Sequence, residues 1–472
     1  MSGHHHLPPS DLTWIGSDGR FARRVGQPVR KFLEVESAVG VVLVGATILA
    51  LILANSPAAD TFYEILDFHL AIEFADYEII DESIEHLIND GLIAIFFFVV
   101  GLEIKRELVD GELQTIRAAG LPTLAALGGM IVPALLYFIL NPSSPESAGW
   151  GIPLATDIAF AVGIMSLLGN RVPTPLKLFL LALAIVDDIG AIAVIALFFT
   201  DEINILWLGL AIVLLVLVFA MQKAKIWYTP IYAVIGVVVW YAFLRSGVHA
   251  TIAGVALGLL TPARPLQEKI KPNEILDTVG NPDHFNPATA RRTSMYARES
   301  VSVAERLQTL LHPFSAFVIL PLFALANAGI PLSGESISDA ATSSVTLGVI
   351  VGLVVGKTVG ISLFCFASVK FGLTSLPDGV TWPMVIAVGM LAGIGFTVSL
   401  FITGLAFDGD GLELLDQQAR IGILAASFIA SVGGLFILDR ATRKNSGDGD
   451  TVHTGSDKLS SASASHPAPA EV

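Results

Sequence analysis

The chain has 472 residues, 53% of them hydrophobic and 15% charged, with a mean hydropathy of +0.71; these values exclude a soluble globular domain and fit a multi-span membrane protein. A formal net charge of −15 argues against a nucleic-acid partner. One cysteine, Cys365 in an apolar run, leaves no disulfide framework and no thiolate metal site.

Residues 1–35 read as a cytoplasmic N-terminal segment, with a polar His4–His5–His6 end followed by Arg20, Arg23, Arg24, Arg30 and Lys31. The first apolar run, about 37–56, is too long for the usual signal-peptide core and has no evident small-residue cleavage site after it, so it is expected to be a retained signal anchor. Residues 57–85 carry Asp60, Glu64, Asp67, Glu73, Asp76, Glu78, Asp81, Glu82 and Glu85 with no Lys or Arg, alternating with Phe, Tyr and Ile. This pattern predicts an external solvated hairpin at a subunit contact, in preference to an acidic vestibule for cations.

Further apolar runs follow at about 87–104, 118–140, 150–168, 175–199, 203–221, 228–244, 247–261, 310–331, 344–369, 382–404 and 419–438, which predicts an all-α protein of about twelve membrane spans. Residues 262–307 form a proline-containing cytoplasmic loop, and the low-complexity stretch ending the chain reads as a disordered tail over 441–472. With the N-terminus inside, every Lys and Arg falls in an inside segment except Arg245, Arg420 and Lys357. Both termini are therefore expected on the cytoplasmic side of a bacterial or archaeal plasma membrane.

The fifth run, LKLFLLALAIVDDIGAIAVIALFFT, carries Asp187 and Asp188 about 17 Å from its start, near mid-membrane. A central Asp costs roughly 2.5 to 3.5 kcal/mol to insert, so an adjacent pair calls for a cation or a function, with a neutral helix–helix hydrogen bonder as the plain alternative. The fourth run, GWGIPLATDIAFAVG, brings Gly149, Gly151 and Pro153 ahead of Thr156 and Asp157. The eleventh, VGMLAGIGFTVSLFITG, brings Gly389, Gly393 and Gly395 ahead of Phe396, Thr397 and Ser399. Both read as helices unwound at a cavity, close packing through small residues being the alternative. The interrupted run is the middle one in each of two triplets, three to five and ten to twelve, that run in opposite senses. Paired interruptions of that kind mark inverted repeats with a substrate site between them. Lys357 sits centrally in the tenth run, too far from either end to reach water, so an acid partner such as Asp187 or Asp188 is expected.

Several strings in family order, NDGLIAIFFFVVGLEIKREL, GIPLATDIAFAVG, LALAIVDDIGAI, SGVHATIAG, HPFSAFVILPLFALANAG, GLVVGKTVGISLF and GIGFTVSLFI, make the chain resemble the NhaA-type sodium/proton antiporters over about residues 36–440. The resemblance implies that Asp188 is the main carboxylate for the transported sodium and proton, with Asp187 beside it pairing Lys357, and Thr156 close to the ion. It implies that Asp157 offsets the positive ends of two crossing half-helices and that Lys357 offsets the negative ends. Glu103, Arg106 and Glu107 match the family's entrance and pH-response cluster, and Asp90 a polar position on the same helix. His249 and His312 are motif histidines, read here as structural. An insertion before His312 leaves Glu305 out of clear register with the family's acid.

The expected activity is exchange of intracellular Na⁺ or Li⁺ for external H⁺ by alternating access, electrogenic and rising toward alkaline pH. The protein is then a transporter and not an enzyme, needs no cofactor beyond its ions, works in a lipid bilayer and could form a homodimer. In physical terms, desolvation favours a neutral acid and a neighbouring ammonium favours a carboxylate, so a membrane-buried site with both can titrate near physiological pH. Protonated, such a site cannot hold Na⁺; ionised, it offers hard oxygen ligands. An intramembrane aspartyl protease would need an Asp in a GxGD-type segment where this chain has GIGF, and a DDxxD diphosphate site is absent because the run is DDIGA. A sodium-coupled symporter on a related fold is the remaining alternative.

Overall fold

The computed structural model describes residues 38–449 apart from 75–76, 112, 201–202, 225, 227–228, 266–286, 288–290, 292, 296–297 and 299. The N-terminal segment, most of the 262–307 loop and residues 450–472 thus lie outside the described residues. The first helix, α1 (Ala38–Ala54), has only apolar and small residues plus Thr47, and turns by 115° into the short α2 (Ala59–Leu66). Strands β1 (His69–Phe74) and β2 (Tyr77–Ser83) then form an antiparallel hairpin in which His69 faces Ser83 and Ala71 faces Asp81, with an irregularity at Ile72 and Glu73. The hairpin falls where residues 57–85 alternate, as their period-two patterning predicts, within an otherwise helical chain.

Helix α3 (Ile84–Asp110) begins with a turn capped by the Ser83 hydroxyl, passes through a π-turn over Leu87–Leu92 and continues as regular α-helix. It is followed by α4 (Ile116–Leu140), a 3₁₀ helix over Glu146–Leu154, α5 (Ile158–Ser166) and α6 (Thr174–Phe198). Next come α7 (Ile205–Lys223), α8 (Thr229–Leu244) and α9 (Thr251–Leu260). After the loop, α10 (Val303–Asn327) contains a π-turn at Ser315–Ile319, and starts seven residues ahead of the apolar run because Ser302 caps it through the Glu305 amide. The chain closes with α11 (Gly334–Thr342), α12 (Ser344–Lys370), α13 (Trp382–Leu391), α14 (Phe396–Ala406) and α15 (Glu413–Gly449). Helix α15 runs past residue 440, where the apolar pattern ends the membrane domain, since the stretch to Gly449 contains no proline.

Among the described residues seven helices are long and apolar enough to cross a membrane, ten if each of three bent pairs counts as one. Helices α8 and α9 are apolar but shorter, about 24 Å and 15 Å long against a hydrocarbon core of about 30 Å. Among the described residues each of the twelve apolar runs contains helix, the fourth and eleventh in two pieces. Large apolar side chains point outward on the peripheral helices, with Ile205 82% and Phe428 72% exposed, as expected for a surface that faces lipid. Inside, α14 is buried along nearly its whole length and forms the axis of the main core.

Glycines set the closest helix approaches. A Cβ on Gly101 would fall 2.8 Å from the Val255 carbonyl oxygen and one on Gly258 would fall 2.7 Å from that of Phe98, so α3 and α9 pack backbone to backbone. Gly128 and Gly360 do the same for α4 and α12. Such small-residue contacts replace the hydrophobic drive that water would supply to a soluble core.

Candidate ion site

The two interrupted segments meet at their breaks. Helical geometry stops over Ala155–Asp157 between the 3₁₀ helix and α5, with a bend of 45°, and again over Ala392–Gly395 between α13 and α14, with a bend of 46°. Pro153 and Gly149–Gly151 lead into the first break and Gly393–Gly395 into the second, residues that weaken helical propagation. Freed backbone groups at such depth need partners. The Asp157 amide donates to the Ile394 carbonyl at 2.6 Å, the Ser399 hydroxyl donates to the Ile152 carbonyl at 2.8 Å, and the Thr156 hydroxyl lies 2.8 Å from the Ala392 carbonyl.

Asp157 caps two helices at once. Its Oδ1 accepts from the Phe160 amide at 3.0 Å, at the N-terminus of α5. Its Oδ2 accepts from the Thr397 amide at 3.2 Å and the Thr397 hydroxyl at 2.8 Å, at the N-terminus of α14. A carboxylate shared between two helix N-termini satisfies orphan amides and opposes two positive dipole ends.

Lys357 begins the regular helix that follows a π-turn over Val351–Gly356 in α12, and it is fully buried. Its Nζ donates to Asp187 Oδ2 and to the Leu154 carbonyl at the end of the 3₁₀ helix, and lies 3.2 Å from Thr156 Oγ1. The ammonium thus meets a carboxylate and the negative end of a helical segment together, the compensation that a buried charge requires.

Asp187 and Asp188 occupy successive positions on α6, the first fully buried and the second 6% exposed. Asp187 Oδ2 takes both Lys357 and the Thr156 hydroxyl, the latter at 2.7 Å, while Asp187 Oδ1 and Asp188 Oδ1 are buried without a hydrogen-bond partner. One hydroxyl proton on Thr156 cannot serve both Asp187 and Ala392, so this centre is short of positive charge and of donors. Each of these two oxygens keeps lone pairs free to take a proton or to ligate a cation.

The other sequence-singled residues lie further out. Helix α3 packs on α6 through Val100, Ile104 and Ile185, which brings Glu103 close enough for its charge to act on Asp188. Arg106 pairs with Glu107 at 3.2 Å on the same turn of helix. Asp90, in the π-turn, is about 20 Å along the axis from Glu103 and belongs to a separate group: Trp240 Nε1 donates to its carbonyl at 2.8 Å and His249 lies within electrostatic reach. His249 Nε2 contacts the Phe199 carbonyl. Glu305 is exposed in the first turn of α10, and Cys365 is a free, buried residue among apolar neighbours. The carbonyls of Ile152, Leu154, Ala392 and Ile394, which carry much of the site's polarity, leave no trace in side-chain identity; only the Gly and Pro punctuation signals them.

Interrupted membrane helices whose breaks surround buried ionisable groups define a membrane transporter. The model of the family described as Na⁺/H⁺ antiporter 1 matches residues 30–438. The chain is 45% identical over 444 residues to the Na⁺/H⁺ antiporter NhaA 2 of Sorangium cellulosum, covering 92% of this chain and 94% of that protein. It is 44% identical to the Na⁺/H⁺ antiporter NhaA of Rhodopirellula baltica, over 87% of this chain and 93% of that one, and 43% identical to that of Shewanella loihica, over 87% and 97%. The chain belongs to the Na⁺/H⁺ antiporter 1 family.

Proposed function

We propose that the protein exchanges intracellular Na⁺, or Li⁺, for external H⁺ across a bacterial inner membrane, with Asp188 and Asp187 as the shared proton and cation site. The observation that carries this reading is the pair of buried carboxylates with one unpartnered oxygen each, beside an ammonium that satisfies only Asp187. A proton on Asp188 removes the charge that would hold Na⁺; Na⁺ on the ionised pair removes the site from protons. If the site opens to one side at a time, this exclusion alone couples the two fluxes.

In the same reading, α8 and α9 complete a twelve-span topology with both termini inside, and the triplets around α4–α6 and α12–α15 form inverted repeats whose broken helices cross. The triplets rock as one unit against α1, α3 and α7–α10. Thr156 supplies a neutral oxygen to the cation, Asp157 and Lys357 hold the broken ends, and Glu103, Arg106 and Glu107 set the entrance and the response to pH, with activity rising toward alkaline values. Displacement of more than one proton per Na⁺ makes the exchange electrogenic, and the β-hairpin is where two copies would meet.

In everted vesicles loaded with a pH-sensitive dye, Na⁺ or Li⁺ should collapse the pH gradient with the parent protein and fail to do so with Asp188→Asn. Full exchange by Asp188→Asn would end the assignment. Uptake of a labelled organic solute driven by Na⁺ would point to the symporter instead.

A further inference from the structure

Three basic residues break the inside distribution of charge, and two are accounted for locally: Lys357 by Asp187, and Arg245 by the Tyr241 ring on its own helix, with its guanidinium carbon 5.6 Å from the ring centroid. Arg420 instead reaches across to another part of the molecule. Its Nη1 donates to the Asn327 carbonyl at 2.8 Å, while its Nε lies 2.7 Å from Asp416 one turn earlier on α15. Asn327 is the last residue of α10, so its carbonyl has no partner within the helix, and a cation there meets the negative end of the helix dipole. The adjacent Gln417 Nε2 donates to the Pro331 carbonyl at 3.1 Å.

The segment gripped in this way is anchored from the opposite side. Asn55 Nδ2 donates to the Ile330 carbonyl at 2.8 Å, the Leu332 amide donates to Asn55 Oδ1 at 2.5 Å, and the Tyr63 hydroxyl donates to the Gly329 carbonyl at 3.3 Å. The Asn327 side chain exchanges amide hydrogen bonds of 2.7 and 3.2 Å with Asn89 of α3. Residues 327–332 therefore belong mechanically with α1–α3, whereas α15 packs against α12, α13 and α14. Beside the contact lies a cavity of about 340 Å³, with Tyr63, Glu85 and Ala326 on one wall and Glu413, Asp416 and Arg420 on the other.

We propose that Arg420 and Gln417 are a latch that holds the outer end of the seam between the two bundles shut, and that outward opening begins with release of the Asn327 and Pro331 carbonyls. The cavity is where the seam parts first. Asp416 forms an ion pair with the guanidinium one turn away on the same helix, which favours the Arg420 conformation that reaches Asn327. The inference rests on the two-bundle motion proposed above, and it is tested by a readout that does not need transport.

The test uses the full chain in right-side-out vesicles, with Cys365→Ala removing the native thiol and Ala326→Cys reporting from the cavity wall. Labelling by a membrane-impermeant methanethiosulfonate cation should accelerate about tenfold or more in Arg420→Ala, the effect of losing one charge-assisted hydrogen bond, and less in Gln417→Ala. The acceleration should persist when Asp188→Asn is added, so loss of the ion site and loss of the latch are read separately. Equal labelling rates in parent and Arg420→Ala overturn the latch. Should Arg420→Ala fail to fold, a disulfide between Gln417→Cys and Pro331→Cys takes its place. It should block the Ala326→Cys reporter and stop exchange until reductant is added, and unchanged labelling with the disulfide formed overturns the latch equally.

Discussion

Asp157 caps two helices with one side chain. Replacing it with Ala removes the cap of α5 and the cap of α14 together, at about 1 kcal/mol for each. The expected outcome is a thermal midpoint lowered by several degrees for detergent-solubilised Asp157→Ala, with roughly half the loss in Asp157→Asn, whose amide oxygen keeps one acceptor. Equal midpoints in all three proteins would show that the caps contribute nothing measurable. Lys357 differs in kind. Truncation to Ala strands a buried Asp187 and is expected to cost about 3–5 kcal/mol or to move the pH at which exchange starts. The residue identities at the site were legible from the sequence because an acid or amine in an apolar run is conspicuous. Their partners were not: Leu154, Ala392 and Ile394 act through carbonyls, and no side chain announces a backbone acceptor.

At the scale of elements, each apolar run located a helix or a broken pair of helices, although α10 and α15 start seven and six residues ahead of their runs and α2 and α11 fall in none, and Gly and Pro located both breaks. The sequence missed the 3₁₀ character of Glu146–Leu154 and the three π-turns, because these depend on which tertiary partners absorb an odd residue. It also began α10 late, since Glu305 and Arg306 hide an amphipathic helical start behind charge. The α3–α9 contact offers a direct test of the packing argument. Gly258→Val would drive a branched side chain against Phe98 and Gly101, an overpacking cost of about 1–3 kcal/mol, and should lower the thermal midpoint while Gly209→Val, with open space around it, leaves it unchanged. A midpoint unaffected by Gly258→Val would mean that the two helices are free to separate.

For the whole molecule, the proposed competition of H⁺ and Na⁺ for Asp187 and Asp188 makes a thermodynamic demand. Calorimetric titration of the purified protein should show apparent Na⁺ affinity falling by about tenfold per pH unit for each proton displaced, on the acid side of the site's titration, and levelling off on the alkaline side. Affinity indifferent to pH would remove the basis for coupled exchange. The family was readable from sequence strings, whereas the contacts of Asn55, Asn327 and Arg420 were not, because they join residues far apart in the chain. The π-turn over Val351–Gly356 carries a last consequence. Each residue advances a helix by about 100°, so an added residue in one turn sets the direction of everything beyond it, and Lys357 points at Asp187 by virtue of a count. Apolar exchanges within that stretch leave the count alone, but a single-codon deletion there would swing the ammonium off its acid. Length variation between relatives should therefore be absent from Val351–Gly356.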